Sequence, residues 1–179
     1  MNTKKHVIFK GFRRPWPFRI IGLQSQEDYM MRKSFTFTES CRYDLKSDDQ
    51  YDWNKLYGVS FGLFGIHKNS VRFVWRYNKT TDKIDIAAYW YLNGERCWYE
   101  LCSVEIGKQF NFKITFLKTS TGFEPDVIFT VLDDYVPIAK YYLSIDEKTF
   151  EKDRYCCGIY FGGNRRAPQR IEIIEHLDD

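Results

Sequence analysis

The stretch that decides the fold is HKNSVRFVWRYN (67–78), KTTDK (79–83) and IDIAAYWYLNGERCWYELCSVE (84–105). Apolar and polar residues alternate on both sides of the turn around Asn78–Lys83, and again on both sides of Asn93-Gly94. Alternation of period two marks a strand with one buried face. Asn-Gly between two such runs predicts a tight hairpin, because both residues tolerate the positive φ of a two-residue turn. Three consecutive antiparallel strands follow from this stretch alone.

The same signals recur on either side of it. Val7–Lys10 reads as a short strand, followed at Gly11–Pro17, where two prolines flank a Trp, by an edge or loop carrying Arg13, Arg14, Trp16 and Arg19. Arg32–Cys41 sets Phe35 and Phe37 against Thr36 and Thr38, the pattern of a half-buried strand. Arg42–Trp53, with Asp44, Asp48, Asp49 and Asp52, reads as a polar surface loop. Tyr57–Gly65, with three glycines among aromatics, predicts a strand with a bulge or a close backbone approach. Gln109–Leu117 alternates cleanly, Val127–Leu132 and Val136–Leu143 flank an Asp133-Asp134 turn, and Cys156–Phe161 and Arg170–His176 complete roughly eleven strands. Asp146–Asp153 is the one helical turn expected. Many short strands at regular spacing predict an all-β, antiparallel two-sheet β-sandwich. A jelly roll fits best, because its first and last strands pair as neighbours.

Size and composition suit this reading. The 179 residues are enough for one domain, 1–179, with a core of its own. Aromatics at 18 % point to a core built from Phe, Tyr and Trp. A net charge of +3, with both signs interspersed, argues against a long nucleic acid as partner. No apolar run approaches a membrane span, and Met1–Arg14 lacks the apolar centre of an export signal, so a cytoplasmic protein is expected. Five cysteines at no metal-type spacing are expected to be reduced.

A candidate site follows from the face assignment. In Ser70–Tyr77 the core set is Val71, Phe73, Trp75 and Tyr77, which sends Arg72, Val74 and Arg76 to the other face. In Lys83–Tyr91 the core set of Ile84, Ile86, Ala88 and Trp90 leaves Asp85, Ala87, Tyr89 and Tyr91 there. Arg72, Arg76, Tyr89 and Tyr91 then share one face. Guanidinium forks beside phenol rings grip carboxylate, phosphate or sugar hydroxyls. The plainer alternative is a solvated face of cross-strand Arg–Asp and Arg–Tyr pairs. A second candidate is the turn around Asn164 in which the Gly162 and Gly163 amides could meet an anion, with Arg165 and Arg166 beside them; the alternative there is a tight turn with exposed arginines. A third groups Trp53, His67 and Asn69, where His67 is a general base or, more plainly, a hydrogen-bonded structural residue.

Catalytic signatures are sparse. No G-x-S-x-G elbow, no H-x-x-x-H or C-x-x-C pair and no phosphate loop occur. No catalytic residue, metal ligand or cofactor is therefore assigned.

Three stretches resemble the concanavalin A-like lectin/glucanase superfamily of jelly rolls: DWNKLYG (52–58), SVRFVWR (70–76) with YWYLNG (89–94), and YFGGN (160–164) followed by Ala167-Pro168 and the terminal isoleucine strand. The resemblance implies a concave sheet that holds saccharide, with Arg72, Arg76, Tyr89 and Tyr91 in or near the groove. The paired glutamates of the glucanases are missing, which favours a non-catalytic saccharide binder. Two alternatives remain: an intracellular binder that sequesters a small anionic ligand such as a nucleotide signal, and a polysaccharide lyase or hydrolase with Tyr89 or His67 as base. A subunit interface using Trp16 and Trp98 stays open, and with it homo-oligomerisation.

Overall fold

The structure, a computed structural model, describes residues 2–17, 29–118 and 126–177 together with the backbone of Leu23–Gln24; Arg19 lies outside the described residues. Among the described residues twelve strands run in the order β1 (Asn2–Ile8), β2 (Leu23–Gln24), β3 (Met30–Phe37), β4 (Asn54–Phe61), β5 (Ser70–Asn78), β6 (Lys83–Leu92), β7 (Glu95–Val104), β8 (Gln109–Leu117), β9 (Asp126–Asp133), β10 (Val136–Ser144), β11 (Arg154–Cys157) and β12 (Ile171–Leu177). One helical turn, α1 (Glu147–Phe150), precedes β11 and is capped by the Asp146 side chain.

Two six-stranded antiparallel sheets form the sandwich. The first has the order β1-β12-β3-β8-β9-β10 and the second β2-β11-β4-β5-β6-β7. The first and last strands do pair, from Asn2↔Leu177 to Ile8↔Ile171, an arrangement compatible with a jelly roll. Asn93 and Gly94 take φ of 52° and 89°, so the Asn-Gly signal closes the β6–β7 hairpin as expected.

Period-two alternation places the core between the sheets. Val71, Phe73 and Trp75 from β5 face Phe112 and Ile114 from β8 and Phe129 from β9, all 0 % exposed. Phe73 meets Phe112 and Phe129 edge-on at 5.3 and 5.1 Å, which ties the two sheets together. Each such buried ring contributes roughly 2–3 kcal/mol by area alone, and an edge-on pair adds about 1 kcal/mol. At the far edge Tyr141 of β10 stacks on Trp90 and Tyr99 at 5.4 and 4.5 Å.

Two expectations are corrected. The first strand runs Asn2–Ile8 and stops short of Lys10; its Lys4 and Lys5 suit a sheet edge, where charge discourages pairing with other chains. The segment 42–53 is no simple surface loop. It holds a 3-10 turn at Asp48–Tyr51, and Tyr43, Gln50 and Trp53 are buried, because Gln50 donates to the Tyr43 and Tyr77 carbonyls and Tyr43 packs on Trp75 and Phe161. Among the described residues no helix is long and apolar enough to cross a membrane.

Candidate functional site

Residues that alternate away from the core on β5 and β6 meet on the outer face of the second sheet. The register pairs Ser70 with Tyr91, Arg72 with Tyr89, Val74 with Ala87 and Arg76 with Asp85. On β7, Arg96 stands opposite Tyr91, Trp98 opposite Tyr89 and Glu100 opposite Ala87. Arg72, Arg76, Tyr89 and Tyr91 therefore share one face. That face is not a plain solvated one. Trp53, Val74, Ala87 and Tyr89 form a second small apolar cluster there, with Tyr91 packed against it.

On one side of this cluster Arg76 is fully engaged. It donates to the Asp85 and Glu100 carboxylates at 3.3 and 2.9 Å and to the Tyr51 carbonyl at 3.2 Å. Its guanidinium lies 4.2 Å from the centre of the Trp53 ring. Asp85 in turn accepts from Ser103 and Asn78. This is a closed network of charges.

On the other side Arg72 is only 4 % exposed, yet its Nε and Nη2 have no hydrogen-bond partner among the described residues. Those two nitrogens form the edge with which a guanidinium grips a carboxylate or phosphate in two parallel bonds. Arg42 of the same chain uses that edge on Asp82, at 2.6 and 2.9 Å. Arg72 instead lies 5.5 Å from the centre of the Tyr89 ring. Burial lowers its pKa, an effect opposed by Cys157, Tyr89 and Tyr91. Gly58 makes its position attainable: a Cβ there would stand 2.1 Å from the Val71 carbonyl and 2.8 Å from Cγ of Arg72.

Lys55 joins Arg72 through a bulge. The β4–β5 register slips between Lys55 and Tyr57, which sends Tyr57 inward and Lys55 outward. The amine donates to the Trp53 carbonyl at 2.7 Å and lies 4.8 Å from the centre of the same Tyr89 ring. Burial first, and then Arg72, Arg96 and Arg13, push its pKa down to about 8, against the opposing pull of Asp52. The Tyr89 hydroxyl donates to that of Tyr91 at 3.4 Å; burial and this bond raise the Tyr89 pKa. His67 meets the Tyr91 ring edge-on at 5.4 Å.

These groups border a cavity of about 1000 Å³ that continues past the β11 margin toward the space between the sheets. Arg14, Lys55, Arg72, Arg96, His67, Tyr89, Tyr91 and Asn164 line its outer part, and Lys4, His6, Lys33 and Glu175 line its inner part. Glu175 is the one carboxylate among the described lining residues. It is held by His6 at 2.6 Å, by Lys33 and by Lys4. Burial pushes its pKa up, but the bonds from His6 and Lys33 outweigh this and hold it down to about 2.

Of the residues picked from sequence, Arg72, Tyr89, Tyr91, His67 and Asn164 line this cavity, whereas Arg76, Trp53 and Arg165 do not. Trp53 supports Arg76, and Arg165 binds Asp49 at 3.1 Å on the surface. The Gly162-Gly163 turn is built for close packing. The Gly162 amide is committed to Asn54, and a Cβ at either glycine would stand 2.1 Å from the Trp53 carbonyl or the Asp52 carboxylate. Lys55, Arg96, His6, Lys33 and Glu175 were not singled out from sequence. Arg96 was legible, since a two-residue turn at Asn93-Gly94 sets it opposite Tyr91.

No family model matches this chain, and a search of curated proteins finds no match either.

Proposed function

We propose that the protein is a non-catalytic binder of a small anionic ligand, received in the cavity on the outer face of the second sheet. The observation that carries this is the buried fork edge of Arg72, unpartnered among the described residues and set in a cavity whose outer lining is cationic. A guanidinium removed from water without a counter-charge costs several kcal/mol. An arriving phosphate or carboxylate offsets that cost by forming two charge-assisted bonds. The edge is closed to solvent, so the anion reaches it as neighbouring side chains move aside.

Tyr89, Tyr91 and His67 supply ring faces beside the cations, and about 1000 Å³ accommodates a ligand of nucleotide size. A nucleotide-like anion suits both features. The saccharide reading that comes with a concanavalin A-like jelly roll is retained as an acidic sugar, which presents the same carboxylate or phosphate to Arg72. A neutral sugar leaves the cationic lining unexplained.

Thermal-shift and calorimetric titration against inorganic phosphate, nucleotides, glucuronate and neutral sugars test the reading. Binding should be confined to the anions, weaken as salt rises, and fall at least tenfold in Arg72→Met. Tight, salt-insensitive binding of a neutral sugar would overturn it.

A further inference from the structure

The cavity holds a second group whose setting is chemical as well as electrostatic. The backbone of Lys55 is fixed on both sides, by pairing with β5 and by reciprocal hydrogen bonds with Tyr160 at 2.8 and 3.0 Å. Its amine makes no ion pair among the described residues, whereas Lys33, Lys79, Lys108 and Lys118 each hold a carboxylate. It shares the Tyr89 ring with Arg72 and points into the same cavity. An amine crowded by cations and shielded from water is the arrangement that turns lysine into a nucleophile.

We propose that Lys55 is a covalent capture site, at which an aldehyde or ketone that also carries a phosphate or carboxylate forms an imine while Arg72 holds the anionic end. The inference rests on the anion-binding reading of this cavity. In the reaction the neutral amine attacks the carbonyl carbon, its proton passes to the former carbonyl oxygen, and the carbinolamine expels one water to leave the C=N bond. No oxidant or further reactant is required. The depressed pKa of about 8 supports it: about a tenth of the amine is neutral at pH 7, against well under a thousandth for an ordinary lysine.

The test treats the intact protein with pyridoxal 5'-phosphate or glyoxylate at pH 7.5, reduces with cyanoborohydride, and maps adducts by peptide mass spectrometry. Among the chain's fifteen lysines, Lys55 should be labelled at least tenfold faster than any other. Lys55→Arg should abolish that adduct, and Arg72→Met should slow labelling by the phosphate probe at least tenfold but labelling by pyridoxal, which lacks the phosphate, by no more than a few fold, the part that comes from losing the cation that lowers the Lys55 pKa. Labelling spread evenly over surface lysines would overturn the proposal, as would equal rates for pyridoxal and its phosphate. If Lys55 stays unlabelled while inorganic phosphate still raises Tm in an Arg72-dependent way, covalent capture falls and anion binding stands. Loss of both effects removes both.

Discussion

Arg72 and Arg76 sit four residues apart on one strand and point from the same face, yet they are used in opposite ways. Arg76 meets Asp85 directly across the sheet and Glu100 one strand further, and its guanidinium lies on Trp53. Arg72 meets Tyr89, and its bidentate edge has no hydrogen-bond partner among the described residues. The residue type and strand are the same; the cross-strand partner differs. A carboxylate opposite makes an arginine part of the scaffold, whereas an aromatic ring opposite leaves its charge for a visitor.

The sharpest way to break this contrast is Arg76→Ala. It would leave Asp85, 6 % exposed, with only Ser103 and Asn78 as partners, and would uncover one face of Trp53. Breaking a largely buried pair from one side costs roughly 2–4 kcal/mol, so Tm should fall by about 5–12 °C for a domain of this size. Adding Asp85→Asn should recover part of the loss, because the stranded charge is then gone. A drop of a degree or less would mean that the Arg76 network is only surface decoration.

How far the sequence carries this contrast depends on separation along the chain. Within the hairpins it carries far: alternation and Asn93-Gly94 place Arg72 and Arg76 on one face with Tyr89, Tyr91 and Asp85. Burial of that face was not legible. Val74 and Ala87 alternate outward and should be wet, but Trp53 arrives from a segment whose run of aspartates reads as loop. Its buried Tyr43, Gln50 and Trp53 follow no period, so no pattern announces them. The bulge that turns Lys55 toward Arg72 is a one-residue slip that leaves no compositional trace. His6 and Glu175 come together through pairing of the first and last strands, a register that alternation cannot fix.

The second effect sharpens the comparison at the inner end of the cavity. There Glu175, also hydrogen-bonded with His6, supplies to Lys33 and Lys4 the counter-charge that Arg72 lacks. Its pKa, about 2 in the folded chain, lies below the ordinary carboxylate value of 4.5. The stabilisation is therefore complete above pH 4.5 and lost as pH falls from there toward 2, with a size on the order of 2 kcal/mol. Denaturant titrations between pH 6 and 3 should follow that decline, and Glu175→Gln should be less stable at pH 6 and lose most of the slope. An unchanged slope in the variant would place the acid sensitivity elsewhere.

The smallest effect on stability, and the most telling, belongs to Arg72→Met. Methionine keeps an unbranched apolar stem over Gly58 and discards a charge two of whose nitrogens have no hydrogen-bond partner among the described residues. Replacing a buried charge with a hydrophobe of similar shape is commonly neutral or stabilising. The expected change is a Tm that stays level or rises by up to about 3 °C, a gain of no more than about 1 kcal/mol. Anion-dependent stabilisation should vanish in the same variant. The two readouts together separate scaffold from site: a structural arginine loses stability on truncation, and a binding arginine loses only its ligand. Should Arg72→Met unfold as readily as Arg76→Ala, the two positions would be the same kind of residue, and the case for a visiting anion at Arg72 would go with the contrast.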